Sequence, residues 1–551
     1  MQNSSLSQRL AHSPSRSAMA LVIVLITVVF LALAALIFAR LMFTERQGAY
    51  FSGRERQVRL LAESGIESLR ITLLKDSESL YELGELYANE ELFRGCVVTD
   101  GEISMTGYTS GTTFGSRTQA DFRDIGRFSV IASALADDST LTGDSIRYGL
   151  EDESTKFNLK WLAATEKQLP GTGRTFLLRM PGMTEEIADS LLDWLDDDDE
   201  TREYGAENDY YATLDPPYYA KNGIPDSLDE LLLVKGITPA LLYGIDWNRN
   251  GRLDLGEPEE TTLDEEFGVT DGSLNLGLIS YFTLDSCETT INPTTGLPKV
   301  NINNSDTTAL REALEEQLDD STWIDYIVAY KEQTETVKSI LELVESSTES
   351  SNSAESQSPF KQDATSMASY LPILYDTLTT SDTPIVGRIN INQASRGILM
   401  TLVDATAEES TETSTAASAA TEAGASTTSA GNLTTDMIEA IIEQRILNPA
   451  ELESDSDMRY PFWLYTRGII TDFETLKKYE PYICTGGAVY KAQIIGRFDE
   501  QSPVVRLEVW LDASNSAKPA KVIRVRELTN LGPGFTATEL GVETMNDRTV
   551  R

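Results

Sequence analysis

Histidine is almost missing from this chain. His12 is the only one in 551 residues, and it stands in the polar N-terminal stretch, so the body can build no Ser-His-Asp triad, no Cys-His pair and no histidine-rich zinc site. Cysteine is nearly as scarce: Cys96, Cys287 and Cys484 form no CxxC and allow at most one disulfide, and three isolated buried thiols are the simpler reading. Basic residues are short as well, since 45 Lys plus Arg against 87 Asp plus Glu leave a formal charge of −42. Phosphate binding draws its affinity from clustered Lys and Arg, so no nucleic-acid partner is expected; cations or basic partners fit better. No paired carboxylate motif can be singled out for a hydrolase, and the chain is expected not to be an enzyme. Apolar material, by contrast, is ample. The 41% of hydrophobic residues, with 21 Tyr and 17 Phe, supply packed cores, and the length requires at least two units.

One long uncharged run is present. From Met19 to Ala39 the only polar side chain is Thr27, and about 20 such residues cross a bilayer as a helix. A short basic stretch with Arg9 and Arg16 precedes it, and Ser17-Ala18 offers small residues at a cleavage point, as in a secretory signal. The run is long for a signal core, however, and it passes into a stretch where Arg54, Val58, Leu61, Gly65 and Leu69 recur at helical spacing. One helix is expected, apolar in its first half and amphipathic in its second. Arg40, Arg46, Arg54, Arg56 and Arg59 outnumber the arginines before the run, which by charge alone places the body in the cytoplasm.

Within Phe122 to Leu159, Arg127 to Ile131 and Ser145 to Tyr148 read as strands. Helical patterns follow. Thr184 can cap a helix whose first turn carries Glu185 and Glu186 and whose buried face is Ile187, Leu191, Trp194 and Leu195. Ser227 and Glu230 read as a capping box for a second helix burying Leu228, Leu231 and Leu232 and ending at Gly236. Thr238 and Pro239 open a third. Short helices joined by Pro-Gly-Met and Lys-Gly-Ile turns look like helix-hairpin-helix units. Their charge points away from DNA, because Asp193, Asp196, Asp197, Asp198, Asp199 and Glu200 crowd the end of the first helix, where the dipole already disfavours anions. With Glu207 and Asp209 nearby in sequence, these carboxylates form either a second cation site or a solvated helix end.

The sharpest chemical pattern runs from Asp246 to Glu257, which satisfies D-x-[DN]-x-[DN]-G-x5-E without exception. Asp246, Asn248 and Asn250 supply side-chain oxygens, Gly251 makes the turn, the Arg252 carbonyl points inward, Asp254 acts directly or through water, and Glu257 closes the site. Hard oxygen ligands at this spacing suit Ca²⁺. Three acidic ligands imply modest affinity, roughly 10⁻⁴ to 10⁻³ M.

A looser motif of basic, apolar, Asn, apolar occurs at Lys156 to Leu159, Lys299 to Asn303 and Arg388 to Asn392, each leading into a helical pattern at irregular spacing that excludes a solenoid. The tracts 345–358 and 405–431 are Ser, Thr, Ala and Glu with little to bury and read as disordered loops. A helix resumes at Thr435 with Met437, Ile438, Ile441 and Ile442 on its buried face. Val489 to Arg497, Val504 to Leu511 and Lys521 to Leu528 alternate strongly, predicting a closing antiparallel sheet with Val505, Leu507, Val509 and Leu511 on one side.

The order of these features resembles the type II secretion system protein K family, the large minor pseudopilins. The likeness is carried by the apolar helix, Lys156-Phe157-Asn158-Leu159, Pro181-Gly182-Met183, Ala188 to Asp196, Gly205 to Tyr211, Pro216-Pro217-Tyr218, Glu230 to Gly236 and Asn390-Ile391-Asn392. It implies an α+β fold: a pilin-like long N-terminal helix on an antiparallel sheet, with a large α-helical domain inserted. The boundaries are then a leader at 1–18, the N-terminal helix at 19–95 with its membrane span at 20–39, a first pilin-like part at 96–165, the insertion at 166–480 and closing strands at 481–551. The resemblance further implies cleavage by a prepilin peptidase between Ala18 and Met19, an inner-membrane anchor with the body in the periplasm, and a place at the pseudopilus tip with other minor pseudopilins. Ile23 then stands where most pilin-like proteins carry Glu, at the membrane interface with a neighbouring subunit. Calcium sites in the insertion are also implied. Ala18 replaces the usual Gly, and acidic linkers and the segment Asp306 to Ser381 lengthen the chain. A membrane-anchored helix-hairpin-helix protein for DNA binding or uptake is the alternative.

Overall fold

Arg16–Thr72 form a single helix, α1, as the join of an apolar with an amphipathic pattern predicts. The computed structural model describes residues 16–99, 102–104, 125–133, 146–252, 254, 256–257, 275–344, 358–403, 431–452, 456–515 and 517–542. Most of the leader, position 122 and the two polar tracts, except Ser358 and Gly431, lie outside these residues. From Ala20 to Gly53 α1 is exposed throughout, and its apolar part is long enough to cross a membrane. Farther on, Val58, Leu61, Ala62, Ile66 and Leu69 turn one face onto a sheet.

That sheet begins with β1 (Cys96–Thr99), β2 (Glu102–Ser104), β3 (Gly126–Ile131) and β4 (Glu151–Asp152). Six two-residue strands follow before the main sheet resumes: β5 (Phe157–Asn158), β6 (Phe282–Thr283), β7 (Val300–Asn301), β8 (Leu378–Thr379), β9 (Ile389–Asn390) and β10 (Ile483–Cys484). The main sheet then closes with β11 (Val489–Arg497), β12 (Val505–Asp512) and β13 (Lys521–Glu527). Its order is β13-β12-β11-β3-β1-β2, with β4 also on β11, and its pairs are antiparallel. The sequence therefore returns after more than three hundred residues to complete the sheet it began.

Alternation sends Val505, Leu507, Val509 and Leu511 toward α1, where they share a core with Ala492 and Ile494. Each such side chain contributes about 1.5–3 kcal/mol through burial. The helix comes in close: a Cβ on Gly65 would stand 2.6 Å from Ile494 Cγ2, and one on Gly496 would stand 2.5 Å from the Val58 carbonyl. The opposite face carries Gln493, Arg506, Glu508 and Trp510, and these are buried too. Asn248 and Arg249 of the insertion meet Arg506, and Arg249 also meets Gln493, while Glu508 and Trp510 lie against Lys491, Arg524 and Arg526 of the sheet itself.

The insertion packs short helices around one large core that includes Leu162, Leu191, Trp194, Leu241, Ile327, Leu371, Ile441 and Trp463. Glu185–Leu195 is a helix whose cap Thr184 accepts from the Ile187 amide at 3.3 Å, and its expected face is buried. Pro239–Tyr243 is capped by Thr238. The segment between them differs from expectation. Leu228–Leu233 is a 3₁₀ turn, Ser227 makes no side-chain cap, and only Leu231 of its leucines is fully buried. Glu230 is drawn off instead to the Lys221 ammonium at 2.9 Å and the Asp226 amide at 3.1 Å. Ser145 lies outside the described residues, and among Ile146 to Tyr148 Arg147 forms a lone bridge to Ala132 rather than part of a strand. In the helix Thr435–Gln444, Ile438 and Ile441 are buried and Met437 and Ile442 only partly so.

The Asn motifs prove to be one local structure used three times. β5 pairs in parallel with β6, β7 with β8 and β9 with β10. In each, the Asn side chain accepts from the amide two residues on: Asn158 from Lys160 at 2.9 Å, Asn301 from Asn303 at 2.9 Å and Asn390 from Asn392 at 3.0 Å. That Asx turn ends the strand and redirects the chain toward a helix.

Candidate functional site

Two oxygen-rich clusters lie in the first part of the insertion. The first gathers at the end of helix Glu185–Leu195. Asp193 is fully buried and takes Arg202 Nη1 at 2.6 Å, while Asp196 takes the same nitrogen at 2.5 Å. Glu207 is buried with both carboxylate oxygens lacking a hydrogen-bond partner among the described residues, and so are Asp196 Oδ1 and Asn222 Oδ1. Burial first, then the charges of Asp193, Asp196, Asp199 and Asp198, push the Glu207 carboxyl up to about 7. Asp199 accepts from Asn208 at 2.7 Å and from Asn222 at 3.0 Å. The cluster does not take in every residue of the acidic run: Asp197 is exposed and pairs with Lys167 at 2.8 Å, Asp198 accepts from the Glu200 amide at 2.8 Å, and Asp209 is exposed. Unpartnered carboxylate and amide oxygens in one buried cluster are the donor set of a hard cation.

The second cluster is the loop 246–257. Asp246 is buried and accepts from the amides of Asn250 at 3.1 Å and Gly251 at 2.7 Å, the latter at φ 77°. Burial, with Glu257 adding to it, raises the Asp246 carboxyl to about 6. Glu257 reaches back to the Trp247 amide at 3.0 Å and the Asp254 amide at 2.8 Å, closing the loop as the motif requires. Asp254 accepts from the side-chain amides of Asn248 at 2.7 Å and Asn250 at 2.8 Å. Asn248 Oδ1 is buried and without a hydrogen-bond partner among the described residues, and Asn250 Oδ1 accepts from the Arg252 amide at 2.8 Å. Among the described residues no group of three acidic, His or Cys side chains is gathered closely enough to hold a metal as it stands. The loop's donor set relies on asparagine and carbonyl oxygens besides its three acids, which is the chemistry of a Ca²⁺ loop.

Ala18 and Met19 lie in the first turns of α1, and Ile23 on its exposed apolar part. Cys96 and Cys484 are buried and Cys287 is partly so. Sequence reasoning missed Arg202, the counter-charge between Asp193 and Asp196, and Asn222. It also missed Arg506 and Gln493 of the main sheet, whose side chains hold the calcium-type loop from outside. The signal for these two was present in the alternating pattern, where polar side chains on the second face of β11 and β12 resemble a solvated side until another unit covers it.

Residues 155–245 match the family model described as type II secretion system (T2SS), protein K. Type II secretion system protein K of Pseudomonas aeruginosa is 39% identical over 100 residues, 17% of this chain and 30% of that protein. A relative from Escherichia coli K12 is 32% identical over 106 residues, 17% of this chain and 32% of its own length. The match thus spans about a third of these relatives. A chain in the crystal structure of the GspK-GspI-GspJ complex from the enterotoxigenic Escherichia coli type 2 secretion system aligns with a TM-score of 0.30 at 12% identity, over 88% of this chain and 98% of that one, a likeness too distant to carry an argument. The first acidic cluster, the Thr184-capped helix and the Asn158 turn all fall inside the matched segment, and over it the resemblance to type II secretion system protein K read from the motifs is borne out.

Proposed function

We propose that this chain is a minor pseudopilin of a type II secretion system, capping the periplasmic pseudopilus and serving to initiate it. The observation that carries this reading is the joint occurrence of α1, with its exposed apolar half, an antiparallel sheet, and an interrupting segment similar to protein K over residues 155–245. In this reading α1 anchors the chain once in the inner membrane with the body in the periplasm, and other minor pseudopilins at the tip are its partners. Ile23 suits that place, because a subunit with none above it has no N-terminus to neutralise. The role is structural rather than catalytic. Ca²⁺ would be held by Asp246, Asn248, Asn250, Asp254 and Glu257 with the Arg252 carbonyl, and a second ion by Asp193, Asp196 and Glu207, where it would neutralise buried carboxylates and satisfy their free oxygens.

The test is co-expression with a prepilin peptidase, read by intact mass. The chain is expected to begin at Met19; an N-terminus still at Met1, or a cut elsewhere, counts against a pseudopilin and in favour of a plain anchor or a secretory signal.

A further inference from the structure

The loop 246–257 is bonded on both sides. Its acidic and amide side chains bond to one another and to its own backbone, while other groups of the same residues reach the main sheet and the C-terminal segment that follows it. Arg506 of β12, fully buried, donates from Nη1 to the Asn248 carbonyl at 3.0 Å and from Nη2 to the Arg249 carbonyl at 3.1 Å. Gln493 of β11 donates to the same Arg249 carbonyl at 2.7 Å and accepts from Arg506 at 2.8 Å. Asn250 Nδ2 donates to the Gly534 carbonyl at 2.9 Å, and Arg252 pairs with Glu539 at 2.8 Å. Asn248, Asn250 and Arg252 therefore belong at once to the cation motif and to the joint between the insertion and the sheet.

We infer that this loop is a calcium-dependent clasp: the residues that would take Ca²⁺ set the position of the carbonyls that Arg506 and Gln493 hold, so loading of the loop and docking of the insertion on the sheet strengthen each other. The inference rests on the calcium reading above. Coupling of this kind is reciprocal, so whatever weakens the sheet's grip weakens calcium binding by the same factor. Arg506 and Glu539 are not part of the cation motif, which makes them probes of the joint rather than of the ligand set.

The experiment uses the full chain in detergent micelles with CaCl₂ as the probe. Calorimetric titration is expected to show that Arg506→Lys, which loses the fork, and Glu539→Gln, which removes the tie to Arg252 from a less buried position, each weaken calcium binding, Arg506→Lys on the order of ten-fold. Hydrogen exchange of the unaltered chain, which needs no variant, is expected to slow on adding calcium both in the loop and in β11 and β12. Protection of the loop alone, with calcium affinity unchanged in both variants, overturns the clasp and leaves the calcium site standing. No calcium binding by the unaltered chain overturns the site and the clasp together.

Discussion

Glu151 sits buried in β4 between two ammonium groups, Lys156 at 2.8 Å and Lys491 at 3.5 Å. Burial alone would raise its pKa, but Lys156 and then Lys491 outweigh burial and hold the carboxyl down to about 2. A carboxylate whose folded value lies below its unfolded value of 4.5 gives its full stabilisation above that value and loses it as the pH falls toward 2. Glu151→Gln should therefore cost about 1.5–3 kcal/mol at neutral pH, the worth of a hydrogen bond to a charged group, and flatten the acid limb of stability between those two values, read from urea unfolding at a series of pH values. Lys156 and Lys491 retain Glu153 and Glu508 as partners, so the variant should still fold. At this scale the sequence was legible where a residue acts on its neighbours. Thr184 and Thr238 cap as read, because the amide each needs is three residues away. Ser227 did not cap, because in the 3₁₀ turn the Glu230 amide goes to the Ser227 carbonyl, and the Glu230 side chain goes to Lys221, a contact that no local pattern announces.

Among the elements, α1 and β11–β13 were legible in outline, since period 3.6 and period 2 each leave one apolar side. What alternation left hidden was that Arg506 and Gln493 point into a second interface rather than into water. The Asn motif was visible as a recurrence, yet its meaning needed the partners β6, β8 and β10, which lie far off in sequence. The fit of α1 on the sheet gives a direct test. Gly65→Ala should destabilise the protein by about 1–3 kcal/mol although alanine favours helix, because its Cβ meets Ile494 and Phe128 in a filled core. Gly53→Ala, on the same helix with nothing within 4 Å, should not lower the midpoint of denaturant unfolding, since there the helix preference of alanine acts alone.

For the whole molecule, the charge of −42 has a partial address in the two oxygen-rich clusters, while the N-terminal helix carries the run of arginines. Body and N-terminal helix thus differ in chemistry as well as in burial. A chain lacking residues 1–53 should stay monodisperse without detergent and unfold at the same temperature as the full chain in micelles, because nothing between Ala20 and Gly53 is buried against the body. A lowered midpoint, seen by scanning calorimetry, would mean that the apolar half contributes to the fold. The candidate sites were legible to unequal degrees for a physical reason: the loop at 246 is contiguous, whereas Arg202 and Glu207 come to Asp193, and Asn222 to Asp199, only through the turn of the chain.

α1 runs unbroken from its exposed apolar half into the sheet core, so anything that grips the first part fixes the compass bearing of the rest. One residue inserted between Arg46 and Gly53 would raise the body by about 1.5 Å and swing it by about 100° around the shaft; about seven would restore the bearing to within roughly 20° at a height about 10 Å greater. Insertions in that stretch should therefore be tolerated by phase rather than by length.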